Sequence, residues 1–188
     1  LRLLVEGIGC AGPRTVAQGR GLTAWLGLDG VYLYDGQTVR SISDDISDLW
    51  SSNRWQEGPI FSLGDVASKL GYPFVLQKGR IDRACGAFDP SSSTFLWALP
   101  LGGYDDYNRL IISYNLLTES WSFSAPIPAP VSGGAMTGST ALRPTNFALV
   151  HDRGKVRLMF SDYSSGIYGY NESEYDQNPN SGDPDGSG

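Results

Sequence analysis

His151 is the one histidine in 188 residues, and Asp152 follows it directly. A serine nucleophile needs a histidine base held in place by a carboxylate. Asp152 is poorly placed for that task, because neighbours in an extended segment leave on opposite faces. His151 is therefore read as structural, at the end of a strand beside a tight turn. A pair of carboxylates can hydrolyse a glycoside. Asp105, Asp106 and Glu119 are close enough in sequence to be weighed for that role, although a solvated loop and a turn account for them more simply. Residues 183–188 ("DPDGSG") begin like a calcium loop but lack its later carboxylate, so a polar tail or turn is expected. Lys78, Arg80 and Arg83 cluster, and Arg153, Lys155 and Arg157 recur along one hairpin. Both sets could meet phosphate or an acidic neighbour, or simply face solvent. The sequence has no GxSxG, HExxH, P-loop, GxGxxG or CxxC motif. No catalytic, cofactor-binding or metal-binding residue is assigned, no cofactor is implied, and no enzymatic activity is expected.

Cys10 and Cys85 are the only cysteines. Two free buried thiols are expected in preference to a single bridge, and no disulfide scaffold is implied. The formal net charge is −6. That balance argues against an open, sequence-reading nucleic-acid surface, which is normally basic. It would suit a passage through which DNA slides without sticking. No apolar run reaches the roughly 20 residues needed to span a bilayer. The opening "LRLLVEG" already reads as a strand and the closing "NESEYDQNPNSGDPDGSG" is polar, so an interior or incomplete piece of a longer polypeptide is expected.

Charged residues are sparse at 18%, whereas the chain holds 24 Gly and 11 Pro. This composition suits many short strands joined by tight turns. "LGLDGVYLYDGQTVRSIS" carries Asp29-Gly30 and Asp35-Gly36 around an aromatic run. Asp-Gly pairs tolerate positive φ and are strong hairpin signals. A three-stranded meander over residues 23–43 follows. "SDDISDLWSSNRW" places Ile46, Leu49 and Trp50 at helical spacing with Ser43 as N-cap, predicting a short helix. A second helix is expected from Asp65 to Leu70, stopped by Gly71.

A four-stranded meander is expected in residues 84–124. Within it "TFLWALP" alternates, and "RLIISYN" reads as a strand buried on both faces. "APIPAPVSGGAMTGS" is a connector. "FALVHDRGKVRLMF" then turns at Asp152-Arg153-Gly154, with Val156, Leu158 and Phe160 on one face and Lys155, Arg157 and Met159 on the other. "GIYGYN" adds a strand. Three small antiparallel sheets cannot each bury both faces alone. Radial stacking of such sheets gives a β-propeller. The expected fold is all-β, a propeller-like array of three- to four-stranded meanders over residues 1–172 with one or two short helices, then a polar segment over 173–188.

"GGYDDYNRLIISYNLLTESW" resembles a kelch-type blade. A glycine pair (Gly102, Gly103) precedes a strand ending in Tyr114-Asn115, and Thr118 and Trp121 follow. Trp121 is expected to pack between blades. More broadly, "IGCAGPRTVAQGRGLTAWLGLDGVYLYDGQTVRSISDDISDLW" and "GAFDPSSSTFLWALPLGG…NRLIISYNLLTESWSF" resemble propeller-bearing tail or head-completion proteins of tailed bacteriophages, the nozzle or packaged-DNA-stabilising type. The resemblance implies a structural, multicopy ring around the DNA path that retains and later conducts the genome. It implies contacts with further copies, with portal, adaptor and other tail proteins, and with DNA passing without sequence-specific binding. It also implies a place in the virion tail after assembly in the host cytoplasm. The alternative is a carbohydrate- or receptor-binding propeller, possibly a glycoside hydrolase.

Overall fold

The computed structural model describes residues 8–50, 76, 78–100, 107–124, 142–152, 154–163 and 166–170. The opening strand, the Asp65–Leu70 helix, the glycine pair, the 125–139 connector and the polar tail lie outside them.

The described chain is antiparallel β-structure in three sheets. The first contains β1 (Ala17–Gly19), β2 (Leu22–Leu26), β3 (Val31–Tyr34) and β4 (Val39–Ser41). The second contains β5 (Cys85–Asp89), β6 (Thr94–Pro100), β7 (Asn108–Asn115) and β8 (Ser120–Ser124). The third contains β9 (Pro144–Asp152), β10 (Lys155–Asp162) and β11 (Ile167–Gly169). Within these three sheets every ladder joins strands consecutive in the described sequence.

The four-stranded meander of residues 84–124 and the final hairpin plus strand match the sequence pattern. The first sheet is larger than expected, because β1 pairs with β2 through the two-residue turn Arg20-Gly21. Both turn residues have positive φ, 52° and 78°, as in the type I′ hairpins that fit strand twist. Asp35-Gly36 behaves as its composition suggests. Gly36 has φ 96°, and Asp35 Oδ1 accepts the N–H groups of Gln37 and Thr38 at 2.8 and 2.7 Å. Gly30 differs, since its φ is not positive. A Cβ there would meet Ser43 Oγ at 2.4 Å, so close approach rather than turn geometry selects glycine.

The helix expected after Ser43 is replaced by a short 3₁₀ stretch, Asp44–Leu49, broken at Ile46 (φ −119°, ψ 21°). Ser43 does not cap it, because its Oγ accepts Val31 N at 2.8 Å. Two further 3₁₀ stretches, Pro13–Thr15 and Lys78–Arg83, lead into β1 and β5. No α-helix occurs among the described residues.

A local motif recurs. The third strand of the first sheet ends at Tyr34 with Asp35 directly after it, and that of the second ends Tyr114-Asn115. Asn115 Oδ1 accepts Leu117 N and Thr118 N at 2.8 and 3.1 Å, repeating the Asp35 pattern. In the third sheet Tyr170 occupies the corresponding place in sequence.

The sheets stack face to face, with the second in the middle. Phe95, Trp97, Leu99, Ile112 and Tyr114 pack toward the first sheet, against Ala24, Leu26, Val31 and Leu33. Leu96, Ala98, Ile111 and Cys85 pack toward the third, against Phe147, Leu158 and Phe160. This is why β6 and β7 are apolar on both faces. The first strands meet along one side, with β1 against β5 and β5 against β9. Trp121 reaches across to the first sheet, and its Nε1 donates to Ile42 O at 2.9 Å, so it packs between sheets as expected.

Both cysteines are free. Cys85 is buried, but Cys10 is exposed, correcting the expectation of two buried thiols. Iodoacetamide should therefore alkylate one thiol in the native protein and two in denaturant, read by intact mass. Equal labelling of both sites in the native state would contradict this packing.

Candidate functional site

The residues weighed for chemistry do not assemble into a site among the described residues. His151 lies exposed near the end of β9, opposite Val156, and no described residue hydrogen-bonds its imidazole. Glu119 is an exposed turn residue with φ 50°. Asp105, Asp106, Arg153 and residues 183–188 lie outside the described residues, as do the side chains of Lys78 and Asp152. Arg80 is exposed and Arg83 half-buried, and both are engaged by other groups. Lys155 and Arg157 share a face with Met159, as the alternation indicates. No group of three or more His, Cys, Asp or Glu among the described residues could hold a metal ion. No helix among them is long and apolar enough to cross a membrane.

Two other arrangements stand out, both built by the sheets. The first is a polar junction where the segments entering the three sheets meet. Arg14 Nη2 donates to Asp82 O at 3.3 Å and Arg83 O at 3.2 Å, and Nη1 donates to Thr145 O at 3.3 Å. Asn108, fully buried, donates through Nδ2 to Arg83 O at 2.9 Å and Pro144 O at 2.7 Å. A guanidinium from the entry to the first sheet and an amide from β7 thus bind backbone carbonyls at the entries to the second and third sheets. Close by, the Arg143 guanidinium stacks over Tyr107 at 4.6 Å, and Tyr107 packs on Tyr163 at 4.5 Å. Pattern reading missed this junction. Arginine before a first strand (Arg14, Arg83, Arg143) is its one sequence signal.

The second arrangement is the face of the first sheet turned away from the second. Trp25 stacks on Tyr32 with ring centroids 6.1 Å apart and planes 29° apart. Tyr32 Oη donates to Asp29 Oδ1 at 2.8 Å. Burial and that carboxylate push the phenol up to about 12. An aromatic pair flanked by a carboxylate can stack on an apolar or saccharide surface.

Titration behaviour follows from the packing. Burial pushes the Cys85 thiol up to about 12 from 9.0, with the nearby Arg14 charge pulling the other way. Tyr114 and Tyr170 are also raised, chiefly by burial. In all these groups the native state holds protons that the unfolded chain releases. For Cys85 and Tyr32 this stabilisation is complete below about pH 9 and is lost as pH rises toward about 12. Cys85 alone accounts for up to ~1.4 kcal/mol per pH unit in that window. Denaturant melts across the window should show this slope, and Cys85→Ala should flatten it. An unchanged slope in that variant would refute the assignment.

No family model matches the chain, and no curated protein sequence matches it.

Proposed function

We propose that this chain is a structural component of a bacteriophage tail or head–tail connector, a nozzle-like propeller unit that works in a multicopy ring around the DNA path. The observation that carries this reading is the stack itself. Three antiparallel sheets pack face to face, and their first strands meet along one side, as the inner strands of propeller blades do. The repeated Tyr-Asx turn supports successive copies of one unit. The resemblance to phage tail proteins supplies the setting, and the net charge of −6 suits a lumen that repels DNA. In this role the residues act through packing and subunit contacts.

A second reading, a carbohydrate- or receptor-binding propeller, is favoured by the Trp25–Tyr32 pair beside Asp29. Native mass spectrometry of the protein, alone and mixed with purified virion connector, separates the two. Assembly on the connector supports the conduit. A protein that ignores the connector but binds a glycan array sinks it and promotes the second reading.

A further inference from the structure

The stack has a direction. At the first interface, the first sheet presents small and aliphatic side chains (Ala24, Leu26, Leu33), and the second meets them with rings (Phe95, Trp97, Tyr114). At the second interface the second sheet turns its small and aliphatic face (Ala87, Leu96, Ala98) toward rings of the third (Phe147, Phe160, Tyr168). Each sheet is thus aromatic on the side facing its predecessor and aliphatic on the side facing its successor. The outer faces keep this order. Among the described residues, the first sheet ends the stack with Trp25, Tyr32 and Tyr34, which belong to neither core cluster. The third ends it with Ala148, Val150, Met159 and Ile167, of which Val150 is 43% and Ile167 73% exposed.

We infer that these two end faces are complementary halves of one interface, and that the occupant of each is a second copy of this chain. The aromatic face of one copy meets the aliphatic face of the other, repeating the two internal interfaces. Charge agrees with this pairing. Lys155 and Arg157 lie on the aliphatic face, and Asp29 and Asp44 lie close enough to Tyr32 to raise its pKa. The described residues of two copies hold six sheets, and two such contacts close these into a ring within the roughly four to eight blades of known propellers. A contact between different patches can close in this way or propagate. The inference rests on the order of the faces and stands separately from the tail assignment, because its test involves no connector.

The test is light scattering of the protein and of two variants, Trp25→Lys and Val150→Glu, with circular dichroism confirming that each is folded. The expected result is a two-chain species for the parent and at least a tenfold weaker association for each variant. Mixing the variants should recover two-chain association in part, through the one intact contact between the aromatic face of the Val150→Glu chain and the aliphatic face of the Trp25→Lys chain. Several results would overturn the inference. These are a parent that stays monomeric, a variant that associates normally, a mixture that does not recover, an open-ended series of longer species, or a monomer that binds a sugar through Trp25.

Discussion

Trp97→Ala should destabilise the protein by about 3–5 kcal/mol, the largest single loss expected from any core position. Trp97 is fully buried in the middle of β6. It stacks on Phe95 at 5.9 Å and packs on Trp121 at 6.1 Å. Its Nε1 donates to Thr15 O at 2.8 Å, tying the second sheet to the segment entering the first. Truncation removes the ring contacts and leaves a cavity between two sheets. Neither neighbour can collapse into it, because each is held by its own strand pairing. Gly86, opposite Trp97 on β5, shows how closely the ring fits, since a Cβ there would lie 2.5 Å from Trp97 Cδ1. Trp97→Phe separates the contributions. It keeps most of the apolar volume but strands the Thr15 carbonyl, which costs about 1–3 kcal/mol. Urea melts followed by circular dichroism measure both, and a loss below about 1 kcal/mol for Trp97→Ala would show that the two sheets do not depend on this ring.

Asn108→Leu carries the second large expected effect. The substitution preserves size but withdraws both N–H donors from Arg83 O and Pro144 O. Stranding two buried acceptors costs about 2–4 kcal/mol. Asn108→Asp gives a sharper form of the test. At neutral pH its carboxylate would face two carbonyl oxygens in a dry site, so burial and repulsion raise its pKa above the unfolded value. Stability should then be greatest below the unfolded pKa, where the protonated acid can donate one hydrogen bond, and should fall as pH rises through the folded pKa. Thermal melts at acidic and neutral pH read this directly. An Asn108→Asp protein that is equally stable at both would rule out the carbonyl clamp.

These two residues mark where the sequence is informative and where it is not. Trp97 is legible from pattern, because "TFLWALP" alternates and each face of the strand meets a different sheet. The strands of the second and third sheets are legible for the same reason. β1 is harder to read, since "AQG" is too short to alternate and Arg-Gly is a weaker turn signal than Asp-Gly. The helix after Ser43 fails for a tertiary reason. Ile46, Leu49 and Trp50 can be buried by 3₁₀ turns as well as by a helix, and the Ser43 hydroxyl is claimed by Val31 N on another strand. Asn108 leaves no local trace, because its acceptors lie 25 and 36 residues away and are backbone atoms. Alternation announces that a strand has two faces but not which sheet each face will meet, so the direction of the stack emerges only in three dimensions. The candidate catalytic residues were legible by type, and those described are scattered over turns and strand ends.

The purely sequential pairing of the strands also bears on how the molecule is made and how it opens. The described ladders of each sheet lie within a few dozen consecutive residues, so these contacts form locally and loop closure is inexpensive. Only the faces must wait for the next sheet to arrive. Within a single copy, stability then resembles a short one-dimensional chain of neighbours, in which the middle of the three described sheets has two couplings and each outer sheet one. Amide hydrogen exchange should therefore be slowest in β6 and β7, with opening advancing inward from the first and third sheets.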